Sequence, residues 1–298
     1  MTKIIGGSSC RKIACDLSVN LNIEYIETTI ARFADQELRI QLPSHLYEED
    51  VIIVQSTCNP ANDHLMELLL LIDAVRRAGS RRVIAAIPYF GYSRQDRPSY
   101  EWGPISARLI ATMLEAAGVD HIITLDLHSK QVEGFFKIGV QNIDPSSLFA
   151  SHIKALQDIV VVSPDIGGLI RARKLADTLS ADLAIINKTR NGHNSCEMNT
   201  IIGDVSGRNC LIIDDIIDTG GTICKAASLL KQCGASSIGV VATHAVFSSD
   251  AKQKLIEAPV DSILTTNSIP QNLNHSKFEV LNIVLIIAET IKTLMRLQ

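Results

Sequence analysis

Residues 211–222 read Leu211-Ile-Ile-Asp214-Asp215-Ile-Ile-Asp218-Thr219-Gly220-Gly221-Thr222, and a helical pattern follows them. The apolar start predicts a buried strand that ends at the acidic pair. The glycines and threonines then lead into a helix N-terminus, where backbone amides, hydroxyls and the helix dipole favour a phosphate. Carboxylates at the strand end are acceptors suited to vicinal ribose hydroxyls. Strand, polar loop and helix in this order indicate an α/β fold.

Each part of this string also has a simpler interpretation. Asp218-Thr219-Gly220 is the triplet of aspartic proteases, but that fold is all-β, whereas here the triplet lies between a predicted strand and a predicted helix. A Gly-Gly pair can form a plain turn, and an Asp-Asp pair can cap a helix. The complete string in its strand-to-helix context favours a loop that binds phosphate and ribose.

Short apolar runs alternate with helical patterns along most of the chain. Strands are predicted at residues 51–55, 83–87, 121–125, 159–163, 183–186, 210–213, 238–243 and 262–265. Helices are predicted at residues 63–78, 105–117 and 223–233, each followed or ended by a glycine that suits a left-handed cap. Continuous apolar strands are typical of a parallel sheet covered on both faces. The length of 298 residues favours two domains, and the pattern breaks within residues 141–147.

Composition excludes several classes of partner and location. Lys plus Arg number 28 and Asp plus Glu number 32, so the net charge of −4 gives no footprint for nucleic acid or for an anionic membrane. The seven cysteines include no C-x-x-C pair, which argues against a zinc ribbon and a disulfide framework. No signal peptide opens the chain, and its longest apolar runs fall short of the ~20 residues that span a bilayer. We therefore expect a cytoplasmic protein.

Five further strings carry polar groups; four of them follow predicted strands, where ligands of open α/β sheets bind, and one lies near the start of the chain. They are Arg32-Phe33-Ala-Asp35-Gln36-Glu37, Ile87-Pro-Tyr-Phe-Gly-Tyr-Ser-Arg94-Gln95-Asp96-Arg97, Asp126-Leu-His128, Ser163-Pro-Asp165-Ile-Gly167-Gly168 and Asn187-Lys188-Thr-Arg190. The G-x-x-x-x-G-K-[ST] loop that holds nucleotides in many kinases does not occur.

Together with residues 211–222, these strings resemble the ribose-phosphate diphosphokinase family, the PRPP synthetases, over nearly the whole chain. Phosphoribosyltransferases resemble only the loop of the second half. The resemblance implies two similar domains of phosphoribosyltransferase-like type, each a mainly parallel sheet flanked by helices, at residues 1–143 and 144–298. The last helix is a candidate for packing back on the N-terminal domain.

The resemblance also implies the reaction and its residues. The family moves the β,γ-diphosphoryl group of ATP to the C1 hydroxyl of ribose 5-phosphate, giving PRPP and AMP, with Mg²⁺ as cofactor. ATP would be bound by Phe33, Asp35, Gln36, Glu37, Arg94, Gln95, Asp96 and Arg97. Ribose 5-phosphate would be bound by Arg190, Asp214, Asp215, Asp218, Thr219, Gly220, Gly221 and Thr222. The diphosphate loop would consist of Asp165, Gly167 and Gly168. The metal ligands would be His128 and Asp165. Lys188 and Arg190 would be the catalytic residues that clamp the diphosphoryl group.

Two of these sets carry an expectation about geometry. Asp126 and His128 are two residues apart, so on an extended segment they would share a face. Phe33, Asp35 and Glu37 would likewise share one face of an extended segment. Taken alone, His128 also suits a structural histidine, and residues 94–97 also suit an exposed charged turn.

Lys188 and Arg190 are expected to share a strand face and to bind the diphosphoryl group as charge shifts to the leaving phosphate. The polar loop at residues 191–199 is predicted to close over ATP and exclude water. In the family the hairpin around Gln36 reaches into a neighbouring subunit of a hexamer, so the resemblance implies a homo-oligomer. Gln36 stands where the family usually has glycine, and residues 98–102 replace a run of Lys, Asp and Arg. The resemblance therefore does not carry phosphate activation or ADP inhibition over to this chain.

Two other classes of function remain open from sequence. One is a non-catalytic regulatory homologue, which would be expected to lose or interrupt the catalytic strings. The other is a phosphoribosyltransferase that uses PRPP and a base, which would not explain residues 94–97 together with Asp126 and His128. Activity with ATP and ribose 5-phosphate separates the three interpretations.

Overall fold

The computed structural model describes residues 1–153, 157–189 and 198–296, and the chain divides into two compact units. The first unit comprises residues 1–143, residues 268–270 and the chain from residue 282 onward. The second unit comprises residues 144–267 and 271–281. Each unit is built on a mainly parallel sheet with helices, which confirms the predicted fold class.

The first unit, as far as it is described, contains a six-stranded parallel sheet in the order β2-β1-β5-β6-β7-β8 and a separate antiparallel hairpin, β3–β4. Its elements are β1 Thr2–Gly6, α1 Arg11–Leu21, β2 Glu24–Tyr25, β3 Thr29–Arg32, β4 Leu38–Gln41, β5 Asp50–Val54, α2 Ala61–Arg77, β6 Arg82–Ile87, α3 Ser106–Ala117, β7 His121–Leu125, a 3-10 helix Lys130–Phe135, β8 Gly139–Ile143 and α8 Val284–Met295. Helix α8 packs against α1 and β8, so a late segment of the chain completes this unit.

The second unit contains, in its described part, a seven-stranded sheet in the order β11-β10-β9-β12-β13-β14-β15. Its elements are α4 Ser146–Ile153, β9 Ile159–Ser163, α5 Leu169–Leu179, β10 Asp182–Thr189, β11 Met198–Ile202, β12 Asn209–Ile217, α6 Gly221–Gln232, β13 Ser237–Ala245, α7 Ala251–Glu257, β14 Ser262–Thr266 and β15 Phe278–Leu281. Strand β11 is antiparallel to its neighbour β10, and the remaining pairs are parallel.

The two sheets share one strand order once β11 is set aside. The first reads β2-β1-β5-β6-β7-β8 and the second β10-β9-β12-β13-β14-β15, with helices between strands at corresponding places. Strand β1 therefore corresponds to β9, and strand β5 corresponds to β12. The sequence has no strong internal repeat, so the likeness of the two units lies in topology rather than in residues.

Apolar side chains cover both faces of the second sheet. Val160, Val162 and Ile212 are buried on one face with residues of α6 and α7, whereas Val161 and Leu211 are buried on the other with residues of α4 and α5. Successive residues of a strand point to opposite faces, so a continuous apolar run is needed to fill both layers. Each fully buried Val or Leu contributes roughly 1.5–3 kcal/mol, and a charge in one of these strands would break the unit.

The predicted interior elements are confirmed. Strands β5, β6, β7, β9, β13 and β14 lie within about two residues of their predicted bounds, as do helices α2, α3 and α6. Glycines at positions 79, 118 and 234 follow the three helices with positive φ. Strand β12 is longer than predicted, since its pairing with β13 continues to Ile217, so the acidic pair lies within the strand. Across the three described ranges, no helix has both the length and the hydropathy of a membrane span.

Candidate active site

Two adjacent carboxyl groups lie near the carboxyl end of β12. The backbone amide of Asp215 donates to Oδ1 of Asp214 at 3.0 Å. The Asp215 side chain is buried and forms an ion pair with Arg171 of α5. Burial, followed by the charge of neighbouring Asp215, raises the pKa of Asp214 well above its usual range. A neutral Asp214 can donate a hydrogen bond as well as accept one, so this strand end can bind hydroxyl groups in either direction.

The turn after β12 leads directly into helix α6. Gly220 has φ +75°, a conformation that favours glycine, and Gly221 begins the helix. A Cβ added to Gly221 would meet only Thr219 Oγ1, at 3.8 Å, so the space beside this residue is open to a ligand. The first amides of a helix have no partner within the helix, and the helix dipole favours an anion there. The turn can therefore hold a phosphate.

A second loop closes on itself after strand β9. Ser163 Oγ donates to the carbonyl oxygen of Asp165 at 2.7 Å, and the amide of Gly168 donates to Asp165 Oδ1 at 3.0 Å. The other carboxylate oxygen of Asp165 takes no hydrogen bond from a described residue, and Gly167 is exposed. The loop thus offers one carboxylate oxygen and accessible backbone to a ligand.

Strands β9 and β12 are parallel neighbours, with Val162 paired to Ile212. Their carboxyl ends therefore lie at one edge of the sheet, ~4.8 Å apart as paired strands are. The predicted ribose-phosphate residues 214–222 and the predicted diphosphate loop therefore follow neighbouring strands at this edge. Arg171 joins them, because it belongs to the helix that follows the β9 loop and contacts a carboxylate of β12.

The predicted clamp is described only in part. Lys188 is in strand β10, paired with Asn199 of β11, and its backbone lies beyond the point where β10 pairs with the end of β9. Arg190 lies outside the described residues, as do residues 191–197 of the predicted closing loop. The shared strand face of Lys188 and Arg190 therefore remains a prediction.

The predicted nucleotide residues follow strand β6 in the first unit. Gln95 is tied to helix α3, since its Oε1 accepts from Ser106 Oγ at 2.6 Å and its carbonyl oxygen accepts from the Ala107 amide at 3.2 Å. Asp96 accepts a hydrogen bond from Gln131 Nε2. Strands β6 and β7 are parallel neighbours, so this loop and the segment around His128 leave the same edge of the first sheet.

The expected shared face of Asp126 and His128 is wrong. Asp126 has φ +42°, so the backbone turns there instead of remaining extended. His128 is exposed, and the segment continues into the 3-10 helix that contains Gln131. The two side chains therefore do not follow the alternation of a strand.

The hairpin residues also depart from the extended geometry expected of them. Residues 33–37 form the turn between β3 and β4, closed by a hydrogen bond from the Phe33 amide to the Glu37 carbonyl oxygen at 2.9 Å. Gln36 has φ +76°, which explains why glycine would suit this position. The side chains of Phe33, Asp35 and Glu37 consequently surround an exposed tip instead of sharing one strand face.

The described side chains do not form a metal-binding cluster. Residues 1–153, 157–189 and 198–296 contain no group of three or more His, Cys, Asp or Glu that could hold a metal ion. Carboxylate oxygens are what Mg²⁺ prefers, and it binds through few protein ligands while keeping several waters. Asp165, with one oxygen left open, fits that chemistry, whereas an imidazole such as that of His128 is a less usual ligand for it.

Sequence reasoning missed Arg171, although it follows the quoted string that ends at Gly168 by only three residues. The available signal was its position in the first turn of α5, where a cation opposes the helix dipole. Such a placement needs a compensating anion, and Asp215 supplies it.

Comparisons with known proteins identify the family of the chain. A family model described as the N-terminal domain of ribose phosphate pyrophosphokinase matches residues 2–118, and one described as the phosphoribosyl synthetase-associated domain matches residues 194–297. The ribose-phosphate pyrophosphokinase of Helicobacter hepaticus is 43% identical over 292 residues, 97% of this chain and 94% of the relative. That of Chromobacterium violaceum is 46% identical over 270 residues, 90% and 83% of the two chains. The crystal structure of phosphoribosylpyrophosphate synthetase from Mycobacterium smegmatis matches with a TM-score of 0.93 at 35% identity, covering 99% of both chains.

Fold and site together define an α/β protein of the phosphoribosyl-binding class, with two polar loops on neighbouring strands. The sequence identities to relatives, which extend over nearly complete chains, narrow this class to one family. The chain belongs to the ribose-phosphate pyrophosphokinase family.

Proposed function

We propose that this chain transfers the β,γ-diphosphoryl group of ATP to the C1 hydroxyl of ribose 5-phosphate, giving PRPP and AMP. The observation that carries the proposal is the placement of two anion-binding loops on adjacent strands. The turn at residues 218–222 suits the 5-phosphate, and the loop at residues 165–168 suits a diphosphate. PRPP carries these two groups at opposite ends of one ribose, so neighbouring loops match its chemistry.

The ribose is proposed to bind at Asp214 and Asp215, between the two loops. Asp215 is fixed by its ion pair with Arg171, and it takes the role of a charged acceptor. Asp214 has the raised pKa and can exchange hydrogen bonds with a hydroxyl in either direction. These bonds orient the sugar, so that its C1 hydroxyl faces the diphosphate loop.

The reaction is a displacement at the β-phosphorus of ATP. The C1 oxygen forms a bond to that phosphorus, and the bond from the phosphorus to the oxygen that bridges to the α-phosphorus breaks. AMP leaves with the bridging oxygen, and the hydroxyl proton is released. Such transfer depends mainly on positioning and on offsetting charge. Lys188 and Arg190 are proposed to stabilise the diphosphoryl group, the former as a point charge and the latter as a fork of donors.

Mg²⁺ is the proposed cofactor, with Asp165 and His128 as its protein ligands. When bound, it would offset phosphate charge during transfer. Asp165 Oδ1 is held by the Gly168 amide, which leaves Oδ2 available to a cation or a coordinated water. His128 is exposed on the segment after β7.

The nucleotide contacts are proposed to lie in the first unit and the ribose-phosphate contacts in the second. Arg94 and Arg97 are exposed and suited to phosphates, whereas Gln95 and Asp96 are anchored by their hydrogen bonds. The acidic hairpin tip at residues 33–37 is proposed to complete the ATP site of a neighbouring subunit in a homo-oligomer, a hexamer by family resemblance. The six cysteines among the described residues are free, which suits a proposed cytoplasmic location.

The decisive experiment measures AMP and PRPP after incubation with Mg·ATP and ribose 5-phosphate, with and without inorganic phosphate. Both products should appear in equal amounts, which is the stoichiometry of diphosphoryl transfer. A response to phosphate would report activation despite the altered residues 98–102. Absence of both products from folded protein that binds ATP would favour the regulatory homologue. Consumption of PRPP with a purine or pyrimidine base would favour a phosphoribosyltransferase.

A further inference from the structure

Two hydroxyl groups extend the first sheet beyond the ends of strands β5 and β6. The backbone pairing of these strands ends at Val54 with Ala86. Beyond that point, the amide of Tyr89 donates to Ser56 Oγ at 3.1 Å, and the amide of Gly91 donates to Thr57 Oγ1 at 2.6 Å. Side chains therefore take the place of backbone carbonyls and hold the segment that follows β6.

Thr57 holds this segment through its backbone as well. Its amide donates to the Tyr89 carbonyl oxygen at 2.9 Å, and a Cβ added to Gly91 would lie 2.3 Å from the Thr57 carbonyl oxygen. That distance is too short for any side chain, so glycine is required for the two backbones to approach this closely. Thr57 is 2% exposed, which leaves its hydroxyl with no competing water.

A buried polar network supports the two hydroxyl residues from below. The amide of Ser56 donates to Ser9 Oγ at 3.0 Å, and Ser9 Oγ donates to Gln55 Oε1 at 2.7 Å. Gln55 Nε2 in turn donates to Glu67 Oε1 of helix α2 at 2.8 Å. Satisfied networks of this kind are rigid, because each group that shifted would leave a buried polar atom unpaired.

The clamped segment leads directly to the proposed nucleotide contacts. Gly91 precedes Arg94 by three residues, and Gln95 is fixed at the other end by helix α3. The short stretch between these two anchors has little freedom, so the position of Gly91 determines where the Arg94 backbone lies.

We propose that Thr57 is a positioning residue for ATP binding. Its hydrogen bond to Gly91 fixes the direction in which residues 94–97 leave the sheet. This inference rests on the proposed function, since it takes residues 94–97 to be nucleotide contacts. Thr57 itself touches neither the reacting atoms nor, by this proposal, the nucleotide.

The test compares Thr57→Val, which removes the hydroxyl at nearly constant shape, with Thr57→Ser, which retains it. Calorimetry of the whole chain should show an ATP dissociation constant about tenfold higher for Thr57→Val. The substitution removes both hydrogen bonds of the hydroxyl, the one accepted from the Gly91 amide and the one donated to the Tyr89 carbonyl oxygen at 3.3 Å. Thr57→Ser should restore ATP binding, and the dissociation constant for ribose 5-phosphate should remain unchanged in both. Thr112→Val on the exposed face of α3 serves as the matched control and should leave both constants unchanged.

Wild-type ATP affinity in Thr57→Val, or equal weakening of both substrates, would overturn the positioning role. Gly91→Ala provides a second approach, because it displaces the same contact while keeping the Thr57 hydroxyl, and it should weaken ATP binding selectively as well. If Thr57→Val does not fold, unchanged ATP affinity in folded Gly91→Ala overturns the proposal. Failure of the proposed reaction can be told apart from failure of the positioning role. In the first case the wild-type protein forms no AMP or PRPP, and the ATP dissociation constants of the variants can still be compared.

Discussion

Arg171 Nη1 lies 3.5 Å from Asp215 Oδ1, and the side chain of Asp215 is only 4% exposed. The cation comes from helix α5 and the carboxylate from strand β12, so the contact connects the elements that carry the two ligand loops of the second unit. A buried carboxylate remains charged at acceptable cost only when a cation is near. The effect on stability of replacing either residue therefore depends on whether the other is still present.

Replacing Arg171 by Met should destabilise the second unit. The substitution leaves Asp215 buried without its cation, and loss of one partner of a buried pair typically costs about 3 kcal/mol. Urea unfolding measures the change, with Arg173→Met on the exposed face of the same helix as control. The double variant Arg171→Met/Asp215→Asn should recover part of the loss. Equal effects of the two arginine substitutions would show that the ion pair contributes nothing.

Replacing Asp214 by Asn should stabilise the protein at neutral pH while impairing its function. The pKa of Asp214 is raised in the folded state by burial and by Asp215, so folding favours the protonated form. Stability then falls as pH rises from the unfolded-state value near ~3.9 through the folded-state pKa. Asn does not titrate, so the gain in stability of the variant over the wild type should be largest above the folded-state pKa and absent below pH ~4.

Thermal unfolding of both proteins across this pH range measures the effect. The KM for ribose 5-phosphate should rise by about two- to tenfold, because a hydrogen bond between uncharged groups contributes ~0.5–1.5 kcal/mol. An Asn variant that is less stable than the wild type at neutral pH would contradict the raised pKa. Unchanged KM would remove Asp214 from the ribose site.

The two glycines of the β12–α6 turn should respond differently to alanine. Gly220 has φ +75°, so Gly220→Ala should cost about 1 kcal/mol of stability through backbone strain. Gly221 begins the helix and has open space beside it, so Gly221→Ala should leave stability nearly unchanged while weakening ribose 5-phosphate binding. Thermal unfolding and calorimetry with ribose 5-phosphate separate the effects. Undiminished binding by Gly221→Ala would place the phosphate elsewhere.

Lys188→Ala should reduce turnover by at least ~100-fold, which is the usual loss when one transition-state donor is removed. Lys188→Arg should not restore the rate, because a planar fork does not replace a point charge. Lys174→Ala is the matched control, since Lys174 forms a surface ion pair with Asp144 at 2.5 Å in the same unit. Single-turnover formation of AMP is the measurement. Turnover of Lys188→Ala within a few-fold of wild type would remove this residue from the clamp.

Glu67→Ala should destabilise the first unit by about 1–3 kcal/mol, because it leaves the buried side-chain amide of Gln55 without its carboxylate acceptor. Glu67 accepts from the Ser8 amide at 2.6 Å, from Ser8 Oγ at 2.7 Å and from Gln55 Nε2. Glu289→Ala, on an exposed position of α8, controls for the loss of charge. Urea unfolding compares them, and equal midpoints would mean that solvent satisfies the donors without cost.

The interior of the fold was predictable from sequence, whereas its edges were not. Strands such as β9 and β13 are largely apolar runs buried on both faces, and the hydrophobic pattern alone predicts them. Edge strand β8 is largely unburied, and β2 has two residues, so neither leaves a hydrophobic pattern. The hairpin β3–β4 has only exposed and half-buried positions and lies outside the main sheet, so its place in the chain was expected only from the resemblance.

The candidate site divides in the same way. Motifs in sequence identified the loops after β9 and β12, because each motif is local and its chemistry is carried by adjacent residues. The contacts of Arg171 and Glu67 join residues far apart in the chain, and no local pattern specifies such pairs. Backbone conformation was also missed where a non-glycine residue adopts positive φ, as Asp126 and Gln36 do.

Helix α8 adds a consequence for the order of folding during synthesis. Protein units generally fold as they leave the ribosome, those nearer the N-terminus first. Here the first unit lacks the helix that packs on α1 and β8 until residue 295 has been made, whereas the second unit has all its described strands by residue 281. The unit that begins the chain is consequently the last to be completed. Until helix α8 has been synthesised, the apolar surface of α1 that it covers is exposed to aggregation.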